Sequence, residues 1–429
     1  MKNIATFVRK VFFVIKNNQN RNNKVKKIWR IAVVVALVAG MSLWVKSRWR
    51  AWFSNMPEEQ YAPAAVPDRL TLTPGEDFLT QRTVSWRYGD HIEQSYLELA
   101  HDGDTVRIEA KGAEVKSRGG VDAFYNVAIK DMKPGEKYSY RVTTGSAHSA
   151  WMTTVMAQSN LSKRSFLYFG DVQDTIGGES KMWFKKLYGK YGDVDFWACG
   201  GDLIEAPVDK YWNYFYSTVD SIITSMPIIN ATGNHDYIKS LYLTIDPRWT
   251  KTFVYPQNGA KTAMGKSYYV DLPDMRYIVL DTNGIQDLIT VMGEYKWLRS
   301  VLQSAGSKWK VVMFHHPVYS VRKSRNNAVV RNAFRPLLEK YGVHLVLQGH
   351  EHGYMRTISS GGVSAGNHPV YIISFMSPKA YVARKEREGS KIIPDTRMYQ
   401  VVNYDARNMT MTAYSLENDS ILDVVKISK

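Results

Sequence analysis

Between about Val66 and Thr154, apolar and polar residues alternate in short runs, each ending in turn residues. "RTVSWRY", "QSYLELAHDG", "TVRIEAKG" and "EKYSYRVTTG" place an apolar side chain at about every second position. A strand points successive side chains to opposite faces, so this period predicts half-buried strands and an all-β unit. At about Ser165 the pattern changes. Short apolar runs now alternate with stretches of helical period: "SFLYFGD" and "ESKMWFKKLYGKYG", "VDFWACGGD" and "DKYWNYFYSTVDSIITS", then "PIINATGNHD". The alternation resumes with "GEYKWLRSVLQSAG", "WKVVMFHHP", "NAVVRNAFRPLLEKYG" and "VHLVLQGHEH". Asp171 and Asp202 are 31 residues apart, and Asp202 and Asn234 are 32 apart. That is the length of a strand–helix–strand unit, so an α/β domain with parallel strands is predicted. From Met398 the chain returns to strand-like runs, expected to close a second sheet.

One segment is apolar without any period. Ile28–Val45, "IWRIAVVVALVAGMSLWV", carries Arg30 as its one charge and is just long enough to cross a bilayer. Trp29, Trp44, Trp49 and Trp52 suit the interfacial belts. Residues 1–57 hold twelve Lys/Arg and no acid, which leaves only +4 of the net +16 for the rest of the chain. The basic excess is therefore local, and no nucleic-acid footprint is expected on the folded part. The bias toward the N-terminal side places that end in the cytoplasm, giving a single-pass protein of the cell membrane. Its body would be exported, periplasmic or extracellular. A cleaved signal peptide is the competing expectation, but the n-region is long and no small-x-small site follows Trp44. The expected organisation is a basic segment (1–27), a transmembrane anchor (28–45) and a Pro/Ala-rich linker (46–65). An all-β sandwich (66–156) and an α/β domain (163–429) follow. Within the sandwich, Pro134-Gly135 followed by Tyr138 has the form of a tyrosine corner of the immunoglobulin or fibronectin-III kind.

Candidate chemistry gathers at strand ends. The five apolar runs of the α/β domain end in Asp171, Asp202, Asn234-His235-Asp236, His315-His316 and His350-x-His352. Ligand sites in parallel sheets lie at the carboxyl ends of strands. One such residue is commonly a helix cap; five in succession are not explained by capping. Carboxylate, imidazole and amide oxygen together suit Zn, Fe, Mn or Ni, and a shared carboxylate can bridge two ions. Two ions can activate a hydroxide and clamp the oxygens of a phosphoryl group. Cys199 is the single cysteine, so a cysteine-based structural zinc site and an internal disulfide are both excluded.

The blocks "GDVQD", "GGDLIE", "GNHD", "FHHP" and "GHEH", in this order, resemble the calcineurin-like metallophosphoesterase superfamily. With the preceding sandwich, the chain resembles a purple acid phosphatase-like protein. The resemblance implies a four-layer αββα domain after a fibronectin-III-like sandwich, with a centre of two divalent or trivalent ions (Fe, Zn, Mn or similar). It implies that Asp202 bridges the ions, that Asp171 and His352 bind the first, and that Asn234, His315 and His350 complete the second. His316 would face substrate or lie outside the ligand shell. His235 would protonate the leaving oxygen, oriented by Asp236, after a metal-bridging hydroxide attacks phosphorus.

Two positions depart from that pattern. Glu205 stands where purple acid phosphatases place a tyrosine on iron, so no purple colour is expected. Gln173 stands where they have glycine and the wider superfamily has histidine; either Gln173 or Glu205 would complete the first ion, with Gln173 preferred. Arg322, Lys323 or Arg325 would meet the substrate phosphate, or else form a solvated basic loop. His344 and Glu351 are expected to be structural, and Lys379, Arg384, Lys385 and Arg387 to form a solvated loop. The predicted activity is hydrolysis of phosphate monoesters on a small molecule or phosphoprotein. Phosphodiester hydrolysis at the same site, or surface binding with weak catalysis, are the alternatives.

Overall fold

Neighbouring side chains of Met275–Val279, Trp309–Met313 and Leu345–Gln348 enter two different cores. Tyr277, Val279, Val311, Met313, Leu345 and Leu347 pack in one, while Ile278, Val312 and Val346 pack in the other. Strands buried on both faces need apolar residues at every position, which is why these runs show no alternation. The computed structural model describes residues 26–27, 29–47, 49, 53–174, 178–322, 325–358, 368–381 and 389–429.

The chain divides into two compact units. Met1–Asn55 with Lys239–Leu241 form one. Within it, α1 (Trp29–Ser47) has a mean hydropathy of 1.6 and none of its residues is buried. It is long and apolar enough to cross a membrane. Most of the expected basic segment, with Ile28 and Trp52, lies outside the described residues.

Met56–Ile238 with Tyr242–Lys429 form the other unit. It opens with two antiparallel sheets. One has the order Asp68–Pro74, Arg82–Arg87, Val121–Ile129, Lys111–Lys116. The other runs Asp104–Glu109, Ser95–His101, Lys137–Thr144, Ala147–His148, with Met152–Val155 also pairing to Lys137–Thr144. Leu72, Val84, Trp86, Leu97, Tyr125 and Val142 fill the space between them. The Tyr138 ring is buried and its hydroxyl accepts the Lys133 N–H at 2.8 Å, the contact a tyrosine corner makes.

The α/β part holds two sheets. The first runs Ile228–Asn230, Trp197–Cys199, Arg164–Phe169, Met398–Tyr404, Asn408–Ser415, Ile421–Ser428. Its first three strands are parallel and the rest antiparallel. The C-terminal strands therefore extend the sheet that Arg164–Phe169 begins, contrary to the expectation that they close a second one. The second sheet runs Tyr268–Asp271, Met275–Val279, Trp309–Met313, Leu345–Gln348, Val370–Ile373, Tyr354–Ile358, Ser390–Ile393. Phe166, Tyr168 and Met411 of the first sheet share one core with Tyr277, Val311 and Leu345 of the second. Helices α2 (Glu179–Tyr191) and α3 (Asp209–Ile223) and the short α4 (Trp249–Thr252) bring Phe184, Trp212 and Trp249 to that core. Helices α5 (Leu288–Ser304) and α6 (Ala328–Lys340) lay Leu298, Leu302, Phe334 and Leu338 on the other face of the second sheet. Asp287 caps α5 by accepting the Thr290 N–H at 2.8 Å.

Buried ions join the sandwich to the α/β part. Arg69 reaches Asp209 at 2.5 Å, and Arg87 spans Asp68, Asp122 and Asp209. Arg248 pairs with Asp246 at 2.8 Å and with Glu58, ahead of the sandwich, at 2.6 Å. Both side chains of the Arg248–Glu58 pair are 1% exposed.

Candidate metal centre

The glycines before the candidate ligands are steric necessities. A Cβ on Gly349 would lie 2.2 Å from Asp171 Oδ1, and one on Gly233 would lie 1.9 Å from the Asp202 nitrogen. Closely packed strand-end loops leave no room for either. Three of the ligand candidates, Asp202, His350 and His352, have left-handed backbones with φ of 50°, 74° and 44°. Such conformations cost about 1–3 kcal/mol each and concentrate at functional sites.

The loops bring the strand-end residues together. Asp171, at the end of Arg164–Phe169, accepts the His350 N–H on Oδ1 at 2.6 Å, and its Oδ2 lies 3.0 Å from His352 Nε2. Asp202 accepts the His235 N–H on Oδ1 at 2.8 Å, and its Oδ2 lies 3.2 Å from His315 Nε2. His315 Nδ1 donates to the Gly200 carbonyl at 2.9 Å, which leaves the Nε2 lone pair facing the centre. Asn234 Oδ1 and His350 Nδ1 lie 3.2 and 3.1 Å from that same nitrogen. His352 Nδ1 donates to the Lys379 carbonyl and likewise points Nε2 inward.

These contacts form two groups that share Asp202: Asp171–Asp202–His352 and Asp202–His315–His350. In each, the ligand atoms lie within 4.8 Å of one another, and all five residues are buried. A metal fits here on the chemistry of the donors. A carboxylate, an amide oxygen and a second imidazole nitrogen converge on one imidazole nitrogen, and a single proton serves at most one of them. Gln173 Oε1 adds a buried acceptor that has no hydrogen-bond partner among the described residues.

The charges agree with a cation site. Burial opposes ionisation of Asp202, but the imidazoles of His315 and His235 outweigh it and hold its pKa below the ordinary value. Burial also opposes a charge on His315, yet Asp202 and Asp171 push it up to about 9. With nothing but protein around it, the pocket draws a positive charge. His316 is driven down to about 3 by burial and by neighbouring His315, and its Nδ1 lies 3.1 Å from Thr282 Oγ1. It is a neutral imidazole at the pocket wall, 4.4 Å from the His350 ring.

Several expected roles are altered. Asp236 does not hold the His235 ring: its Oδ2 accepts the Gly233 N–H at 2.7 Å, while His235 Nδ1 donates to the Glu205 carbonyl at 2.5 Å. Lys379 is not simply solvated; its ammonium lies 3.4 Å from Glu205 Oε1. That contact spans distant parts of the chain, and nothing local in the sequence signals it. Glu205 Oε2 also accepts from Gln173 Nε2 at 3.2 Å. Arg322 stacks over Tyr381 at 4.3 Å. Arg325 is half-buried and, among the described residues, has no ion-pair partner. Burial and Arg322 lower its pKa, while Glu351 and Asp202 act in the other direction. Glu351 accepts from Ser320 and from the Val321 and Arg322 N–H groups, and His344 Nδ1 accepts the Lys310 N–H, so both are structural. Lys323, Arg384, Lys385 and Arg387 lie outside the described residues.

Comparison with known proteins agrees with this geometry. Residues 165–354 match the model of the calcineurin-like phosphoesterases, and residues 67–156 match that of the purple acid phosphatase N-terminal domain. "Probable inactive purple acid phosphatase 1" of Arabidopsis thaliana is 24% identical, over 71% of this chain and 57% of its own. Purple acid phosphatase 1 of Ipomoea batatas is 23% identical, over 54% of this chain and 51% of its own. Human tartrate-resistant acid phosphatase type 5 is 25% identical, over 40% of this chain and 56% of its own. The chain thus spans less than two thirds of each of these relatives. The solved structure of purple acid phosphatase PPD1 from yellow lupin covers 85% of this chain and 74% of its own, with a TM-score of 0.72 at 17% identity. PhoD covers 86% and 90%, with a TM-score of 0.59 at 12% identity. Both likenesses show the fold.

Proposed function

For a chain that belongs to the calcineurin-like phosphoesterases and carries a purple acid phosphatase N-terminal domain ahead of that fold, we propose a binuclear metal-dependent phosphatase. It cleaves phosphate monoesters, in a four-layer αββα domain held outside the membrane by α1. The observation that carries this is the pair of ligand groups sharing Asp202. Asp171, Gln173, His352 and Asp202 would hold the first ion, and Asn234, His315, His350 and Asp202 the second. When bound, such ions supply Lewis-acid activation of water and neutralise charge at the phosphoryl oxygens.

The chain's own residues do the rest. Glu205 fixes the His235 ring through Nδ1, leaving Nε2 to carry the proton that the leaving oxygen takes. Arg325, a half-buried cation with no ion-pair partner among the described residues, meets the phosphate, and Arg322, held on Tyr381, flanks it. His316 stays neutral beside them.

The test compares turnover of p-nitrophenyl phosphate with that of its bis-ester by metal-loaded protein. Faster monoester cleavage, lost in Asp202→Ala, is expected. Faster diester cleavage would reassign the substrate class. Hydrolysis of neither ester would overturn the enzymatic assignment in favour of surface binding.

A further inference from the structure

Gln173 is an unusual donor for a metal: a neutral amide with a donor end and an acceptor end on one rotatable group. Turned one way it offers oxygen to a cation, and turned the other it offers hydrogens, which a cation repels. The site therefore needs something to fix the amide, and the surroundings supply it. Gln173 Nε2 donates to Glu205 Oε2 at 3.2 Å, and Oε1 is left buried with no partner among the described residues. Glu205 must itself be held if it is to fix the amide. Its other oxygen is held by Lys379 Nζ at 3.4 Å, with the two side chains 18% and 34% exposed. Lys379 also acts through its backbone: its carbonyl accepts from His352 Nδ1 and so sets which ring nitrogen of His352 points inward. Tyr381 packs 4.6 Å from the His352 ring and lies 5.7 Å from the Lys379 ammonium.

We propose that Lys379 and Glu205 are positioning residues: Lys379 holds the Glu205 carboxylate, and Glu205 in turn aims the Gln173 amide oxygen at the first metal position. This rests on the binuclear assignment above. The ion sees one neutral oxygen from Gln173 where a histidine or tyrosinate would otherwise stand. First-site affinity is then set by an ion pair two contacts away. Mutation of partners at that remove typically costs about 10–100-fold in metal affinity.

The test titrates the metal-free full chain with cobalt(II), following ligand-field absorption so that the two sites are counted separately from any activity. Wild type is expected to bind two ions. Lys379→Met and Glu205→Ala should each weaken one site at least about tenfold and leave the other unchanged. Lys379→Arg, which keeps the charge, should restore it to within about threefold of wild type. In a Gln173→Ala background, Lys379→Met and Glu205→Ala should have no further effect, because both act through the same amide. Further weakening in that background would overturn the proposal, as would equal weakening of both sites in Lys379→Met. Two wild-type-like sites in Lys379→Met would overturn it while leaving the binuclear assignment standing. Fewer than two ions on wild type would overturn both.

Discussion

The backbone N–H of His350 donates to Asp171 Oδ1 at 2.6 Å, joining residues 179 positions apart. One carboxylate is thus both a candidate ligand and the acceptor that shapes the loop carrying His350 and His352. Asp171→Asn keeps an acceptor oxygen but not the charge, and Asp171→Ala loses both. A buried donor left unsatisfied costs about 1–3 kcal/mol. The expected outcome is that both variants lose bound metal by elemental analysis, while Asp171→Ala alone shows a clearly lowered urea midpoint.

His235 is held at Nδ1 by the Glu205 carbonyl, not by Asp236. Its catalytic share should follow the need of the leaving group for a proton. With an alkyl phosphate, His235→Ala is expected to lower kcat by about 10²–10⁴-fold. With p-nitrophenyl phosphate, whose leaving group departs as a stable phenolate, the loss should be much smaller. A plot of log kcat against leaving-group pKa, steeper for the variant, is the measurement that checks this.

Glu294 on α5, outside the ligand set, gives a pH-dependent stability. Burial first and Asp281 second push its carboxyl up to about 8, while Ser267 Oγ donates to it at 2.8 Å. The folded protein therefore keeps this proton at pH values where the unfolded chain has released it. Stability falls as pH rises from the unfolded pKa through the folded one. Glu294→Gln removes that loss. Its melting temperature is expected to exceed wild type's increasingly between about pH 5 and about pH 9, a gain on the order of 5 kcal/mol at the upper end.

Arg248 is the hub of the buried ions, paired with Asp246 and Glu58. Arg248→Met strands two carboxylates in the interior, and breaking such a pair costs about 3–5 kcal/mol. Denaturant unfolding should show that loss. Adding Glu58→Gln should recover part of it, because the second change removes one stranded charge.

The legible part of the site was the part written locally. Asp171, Asp202, Asn234, His315, His350 and His352 each follow a short apolar run, and most follow a glycine that the packing requires. Strand ends in an α/β pattern converge, so residue type and position together pointed to the cluster. Lys379 was illegible for the opposite reason. It sits beside a charged run that reads as solvent-facing, and its partner Glu205 lies 174 residues away. Asp236 misled because the resemblance implied that it orients His235, whereas the turn directs its carboxylate back to Gly233. The strands from Met398 onward were seen as strands, but only pairing with Arg164–Phe169 shows which sheet they join. Lys111–Lys116 carries mostly exposed side chains and has too few apolar positions to announce itself as a strand.

The pairing of Glu58 with Arg248 has a mechanical side. Glu58 lies near the start of its unit and is fastened inside it, to Arg248 and to the N–H groups of Asp209 and Gly119. A pull on the chain before this point would load those bonds at once, against a rigid part of the fold. Tension would enter the molecule through Arg248 and Asp246, whose N–H bonds the Asp236 carbonyl in the turn that carries His235. The sandwich would take load in the same step, through the Gly119 N–H between Lys111–Lys116 and Val121–Ile129.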